Sequence, residues 1–137
     1  MPTSRPRPTP PRPDVVRRPT GPFGWLDARL LTESWLERLG PEGAAVLVLL
    51  ALAADGHGSS YYGRRRMALA LGLSGEAVDR ALGRLLELGL VAHRPWRSGS
   101  QDGVWQLLPL APRAAEEKRG GEAVSVAEIL GRLGLGR

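Results

Sequence analysis

Apolar residues follow the 3.6-residue period of an α-helix through much of the chain after position 30. A first helix is predicted over 33–39, with Thr32 as its N-cap. Gly40-Pro41 is predicted to end it and to begin the next, because proline suits the first helical turn. The second helix, 42–54, is apolar nearly all round and is predicted to be central to the core. The buried face of the first helix is predicted to consist of Leu31, Trp35, Leu36 and Leu39.

Two further helices and a hairpin are predicted after the turn at 55–58. A short strand at 59–62 precedes a helix over 64–71, and a tight turn then leads to Ser74, the predicted N-cap of a helix over 76–88. Gly89 fits the C-terminal cap of that helix. Strands over 90–96 and 104–108, separated by a polar loop, complete the pattern. The buried stripe of the fourth helix is predicted to be Val78, Ala81, Leu82, Leu85 and Leu88.

The two ends of the chain differ in composition from this middle part. Residues 1–22 hold eight of the twelve prolines and few apolar residues, which predicts a disordered basic tail. One folded domain is predicted over 23–110, followed by a linker and a short amphipathic helix within 111–137. The sequence Ser125-Val126-Ala127-Glu128 has the pattern of a capping box. A helix this short is not stable alone in water, so we expect it to dock on its own domain, a second copy or a partner.

Charge is distributed unevenly along the chain, although the net charge is only +5. Residues 64–97 carry seven arginines against three acids, whereas residues 21–63 carry two arginines against five acids. Three consecutive arginines, Arg64 to Arg66, open the third helix, where cations oppose the macrodipole at a cost of up to about 1 kcal/mol each. A polarised basic stretch is typical of proteins that bind a polyanion, and an uneven solvated surface is the alternative.

The composition excludes several kinds of site. There is no cysteine and there are only two histidines, which excludes disulfides, thiolate zinc sites and histidine-rich metal sites. Asp55, His57 and Ser59 lie in one turn, where local spacing does not build a catalytic triad. We therefore expect no enzymatic activity, no metal and no cofactor. No apolar run is long enough for a membrane helix, and the N-terminus lacks the apolar stretch of a secretory signal, so we expect a cytoplasmic protein without membrane contact.

Three short motifs follow one another in the region of the third and fourth helices. They are the turn Leu71-Gly72-Leu73-Ser74, the helical sequence Val78-Asp79-Arg80-Ala81-Leu82, and Gly89-Leu90-Val91 before the first hairpin strand. In this order and spacing they resemble the bacterial winged helix-turn-helix family over roughly residues 42–108. The resemblance implies a mainly α fold with a small β-hairpin wing. The segment is similar to the winged helices of transcriptional regulators, replication initiators and mobile-element proteins. The motifs do not distinguish among these three groups.

The resemblance implies double-stranded DNA as the partner, with the fourth helix in the major groove and the wing on the neighbouring backbone. The expected base-reading residues are Glu76, Asp79, Arg80 and Arg84. The expected backbone contacts are Arg64, Arg65, Arg66, Ser74, Arg94 and Arg97. Tyr61, Tyr62 and Trp96 are able to stack on bases, but aromatic residues in so small a domain are expected to close the core, and Trp25, Trp35 and Trp105 are assigned to the core or a dimer surface.

A protein-binding adaptor that reads no DNA is the alternative interpretation. Two acids on the presumed reading face repel DNA, and Ala77 stands where the family often has a polar residue that touches phosphate. Winged-helix proteins often dimerise through helices outside the motif. Segments 24–39 and 124–133 are therefore the candidate surfaces for a homodimer or another protein partner.

Overall fold

A computed structural model describes residues 8–110 of the 137-residue chain. The described residues combine helices with one small antiparallel sheet whose strand order is β1-β3-β2. This architecture is compatible with a winged-helix-like fold. The predicted helix at 125–133 lies outside the described residues. The elements are α1 (Arg29–Thr32), α2 (Trp35–Ala53), β1 (Ser59–Ser60), α3 (Arg64–Leu71), α4 (Gly75–Glu87), β2 (Val91–Pro95) and β3 (Gly103–Leu107).

The first predicted helix begins differently from the sequence expectation. The Asp27 carboxylate accepts a hydrogen bond from the backbone N–H of Arg29 at 2.9 Å, which starts the single turn of α1. Thr32 is the last residue of that turn, so its prediction as an N-cap is wrong. Because the extra turn changes the helical phase, Leu30 is buried and Leu31 is exposed. Leu36 is exposed as well, so the predicted buried face is correct only for Trp35 and Leu39.

The predicted break at Gly40-Pro41 is present as a kink within α2. Gly40 has φ 75° and ψ 173°, a conformation that glycine adopts without the steric cost of a side chain. Proline then follows at the position where its missing N–H costs least. The longer segment after the kink provides the centre of the core, with Val46 and Leu50 almost fully buried.

Helix α4 packs against α2 through the predicted apolar stripe. Val78, Ala81, Leu82 and Leu85 are buried, and Leu88 packs at the edge of the same core. The Ser74 side chain accepts a hydrogen bond from the backbone N–H of Ala77 at 3.0 Å, which confirms the predicted N-cap. Gly89, with φ 73°, ends the helix as expected. These contacts hold the opposite face of α4 toward solvent.

The inner face of the sheet carries a cross-strand row of Ser60, Trp105 and His93. Trp105 on β3 lies opposite Ser60 on β1 and opposite His93 on β2. The rings of His93 and Trp105 stack with centroids 3.9 Å apart. Burial lowers the pKa of His93, and the nearby Asp102 carboxylate opposes this shift. The folded protein therefore favours the neutral imidazole.

We predict that the free energy of unfolding decreases as the pH falls from 7 to 5. With the pKa of His93 lowered in the folded state, the unfolded chain takes up a proton below about 6.5 that the folded chain resists. Thermal unfolding of the wild type and of His93→Gln at pH 7, 6 and 5 tests this, and the variant's midpoint should change less over this range. A wild-type midpoint that is unchanged or higher at pH 5 would contradict the prediction.

Candidate nucleic-acid interface

Asp102, in the loop between β2 and β3, joins the hairpin to the first turn of α3. Its Oδ1 accepts a hydrogen bond from the backbone N–H of Arg64 at 3.0 Å and lies 3.7 Å from Arg64 Nε. The residue at the N-cap position of α3 is Gly63, which has no side chain to supply this acceptor. Asp102 therefore caps α3 from outside the helix, and its negative charge lies beside the first of the three cations at that N-terminus.

Arg64 also forms an ion pair with Asp79 on α4 through its Nη1. Arg64, a predicted phosphate contact, is thus paired with Asp79, a predicted base-reading acid. The Arg64 side chain is the less exposed of the two. The Arg64 guanidinium therefore links α3, α4 and the hairpin loop, and it is less exposed to a ligand than the side chains of Arg65 and Arg66.

The two arginines of α4 lean toward α2, on either side of the kink. Arg80 Nη2 lies 3.4 Å from the Glu42 carboxylate, and both side chains remain well exposed. Arg84 Nε donates to the carbonyl oxygen of Arg38 at 3.0 Å. A break in a helix leaves carbonyl groups of the preceding turn in need of donors, and Arg84 supplies one of them.

The solvent-facing side of α4 therefore has a mixed charge. Glu76, Asp79, Arg80 and Arg84, the four predicted base-reading residues, are all exposed at this side. Helical spacing places Glu76 and Gly83 in its middle, with Glu87 close by. Glu87 lies 3.3 Å from Arg84 and has no counterpart among the predicted site residues. The face that a winged helix would turn to DNA contains three acids and two arginines.

A second group of arginines surrounds the start of α3 and the hairpin. Arg65, Arg66, Arg94 and Arg97 are exposed, and none of them forms an ion pair with a carboxylate within residues 8–110. The Arg66 guanidinium carbon lies 4.3 Å from the centre of the Tyr62 ring. We call these four residues the free arginines. Their four positive charges are not neutralised by carboxylates of the described residues, in contrast to the charge of Arg64, which pairs with Asp79 and Asp102.

Two aromatic residues lie exposed beside the free arginines, contrary to the expectation that they close the core. Tyr61 and Trp96 are 67% and 59% exposed, and their ring centroids are 6.2 Å apart. Both follow directly on short strands of the sheet, β1 and β2. For Trp96 the sequence signal is its position between Pro95 and Arg97, whereas Tyr61 lies between Ser60 and Tyr62 and has no such signal.

Ser74 is exposed at the start of α4, and two of the three tryptophans assigned to the core or a dimer surface are buried. Ser74 Oγ accepts from the Ala77 N–H, which leaves its hydroxyl hydrogen able to donate to a phosphate. Trp35 and Trp105 are buried, as assigned, whereas Trp25 is exposed. Within the described residues no helix is long and apolar enough to cross a membrane, and no cluster of three or more possible metal ligands occurs.

Comparison with known proteins yields no match, whether against protein-family models, curated proteins or solved structures.

We predict that Asp102→Ala lowers the free energy of unfolding by about 1 kcal/mol, because the backbone N–H of Arg64 loses its acceptor and the Arg64 guanidinium loses a nearby negative charge. Urea denaturation measures the change. Asp14→Ala is the matched control, since its carboxylate pairs with Arg12 on an exposed part of the chain and its loss should leave the midpoint unchanged. Equal midpoints for the two variants would mean that Asp102 does not anchor α3.

Proposed function

We propose that this chain binds double-stranded DNA through a winged helix-turn-helix, as a transcriptional regulator or as an accessory factor of a replication or mobile-element system. The observation that carries the proposal is the group of free arginines beside α3 and the hairpin. Four exposed cations without a carboxylate partner within residues 8–110 are suited to phosphate groups, which supply most of the sequence-independent affinity for DNA. The element order from α2 to β3 is the one this mode of binding requires.

The Asp102 contact supports the proposal because it sets the spacing between two halves of the basic surface. Arg65 and Arg66 belong to the first turn of α3, and Arg94 and Arg97 belong to the hairpin. The hydrogen bond from Arg64 N–H to Asp102 connects those two elements directly. Phosphate contacts on both sides of a groove therefore need little rearrangement of the backbone, which reduces the cost of ordering on binding.

Base reading by α4 requires its arginines to leave their partners on α2. The pair between Arg80 and Glu42 is long and exposed, and a surface pair of this kind contributes no more than about 1 kcal/mol. Arg84 is more firmly held, because it donates to a backbone carbonyl as well as approaching Glu87. We therefore propose Arg80 as the principal base-reading residue, with guanine as the base that suits a guanidinium.

Replacement of Arg65 and Arg66 by alanine should weaken binding to every duplex and flatten its salt dependence. Each lost phosphate contact lowers the slope of log affinity against log salt by about 0.9, so two contacts give nearly twice that change. Arg64→Ala should instead mainly lower stability, because Arg64 is already paired with two carboxylates. Fluorescence-anisotropy titrations across a salt series measure the slopes. An unchanged slope in the double variant would mean that these residues are only solvated.

Arg80→Ala should relax the sequence preference at one base pair, at a cost of roughly 1–3 kcal/mol. Arg97→Ala is the matched comparison, because a backbone contact from the hairpin loop carries no base information and its loss should weaken all sequences alike. Selection from random duplexes with the wild type and both variants measures this difference. If the wild type enriches no sequence, Arg80 does not read bases.

A protein-binding adaptor is the second candidate, and one observation favours it. The middle of the exposed α4 face carries Glu76 and Gly83 with Glu87 close by, which suits a cationic protein surface better than a phosphate backbone. The two functions differ in their response to a mixed-sequence duplex. Saturable binding that weakens steeply with salt supports DNA, whereas no binding at low salt, where such contacts are strongest, supports the adaptor.

A further inference from the structure

A pocket of about 450 Å³ lies between residues 23–30, the C-terminal end of α2, and residues 107–110. We call residues 23–30 the arm and this cavity the arm pocket. None of the arginines proposed to contact DNA lines it. The apolar side chains that give the pocket its character include Phe23, Leu26, Leu30, Leu47, Leu107 and Leu110.

The arm is held closely against α2, although it leaves large apolar side chains in water. A Cβ atom at Gly24 would lie 2.3 Å from the carbonyl oxygen of Ala51, so only glycine allows this approach. Arg29 pairs with Asp27 at 2.8 Å and reaches the carbonyl oxygen of Leu110 at 3.5 Å. Phe23 and Trp25 on this arm are nonetheless 68% and 77% exposed. Two exposed aromatic residues, separated only by Gly24 and beside an apolar cavity, are typical of a surface that binds another apolar group.

We propose that residues 124–133 of the same chain occupy the arm pocket. The described part of the chain ends at Leu110, which itself lines the pocket. Residues 111–123 separate that point from the segment, and at 3.3–3.6 Å per residue these thirteen residues span at most about 45 Å. This reach allows the segment to return over the pocket in either direction.

The chemistry of the segment matches that of the pocket. Its apolar residues recur at the spacing of one helical face, and the pocket supplies the apolar surface that such a face needs. A short tether gives the segment an effective concentration in the millimolar range, well above that of a separate protein copy in most solutions. An occupant from the same chain is therefore favoured. The residues that would enter the pocket are Val126, Ile129, Leu130 and Leu133. This inference is independent of the DNA-binding proposal.

The absence of cysteine from the sequence makes disulfide trapping in the full chain a direct test. Leu26→Cys is combined in turn with a cysteine substitution at each of the four stripe positions of the segment. The matched control combines Leu69→Cys with the same four substitutions, since Leu69 is an exposed leucine on α3 that does not line the pocket. In oxidised glutathione, at least one Leu26→Cys pair should close within a monomer about tenfold or more faster than its control.

The product identifies the occupant. A fast monomeric disulfide supports the proposal, whereas a disulfide-linked dimer shows that a second copy fills the pocket and overturns it. Equal rates for the Leu26→Cys and Leu69→Cys sets also overturn it.

An independent measurement uses the full chain with Ile129→Asp and Leu130→Asp. The acrylamide quenching of Trp25, obtained by difference from Trp25→Phe, should increase in this variant because the segment no longer covers the arm. Unchanged quenching would contradict the proposal even if the cysteine variants failed to fold.

Discussion

The hairpin, α3 and α4 are held in one arrangement by the cluster of Asp102, Arg64 and Asp79. The carboxylate of Asp102 accepts from the first N–H of α3, and the side chain that begins there pairs with α4. Three arginines at a helix N-terminus would otherwise oppose the dipole and repel one another. The two acids neutralise the first of them, which leaves the other two exposed on a helix whose end is nevertheless capped.

The kink at Gly40 has a comparable effect on the other side of α4. It turns the chain so that a backbone carbonyl before the kink and the Glu42 carboxylate after it both face arginines of α4. Arg80 and Arg84 thereby gain partners on α2, although both side chains remain exposed. The free arginines belong to α3 and the hairpin and not to α4, which makes α3 and the hairpin the more strongly basic surface.

The sequence was sufficient to predict elements whose signals are local. The stripe of α4, its Ser74 cap and the glycine that ends it depend on residues within a few positions of one another, and the structure has each of them. The phase around Leu30 and Leu31 was not predictable in the same way, because the turn of α1 begins at the Asp27 side chain. The partners of Arg64 lie 15 and 38 residues away. The spacing of residues along the sequence does not predict pairs this far apart.

Both edges of the small sheet are closed to further strands. At one edge β1 has only two residues, which is too short a template for another chain. At the other edge β2 ends in Arg94 and Pro95, and proline has no N–H to offer an incoming strand. Both features disfavour growth of the sheet by edge-to-edge pairing, although an exposed aromatic pair lies at its end. For the part of the chain that the structure describes, contacts between side chains are therefore a better route to self-assembly than pairing at the edges of this sheet.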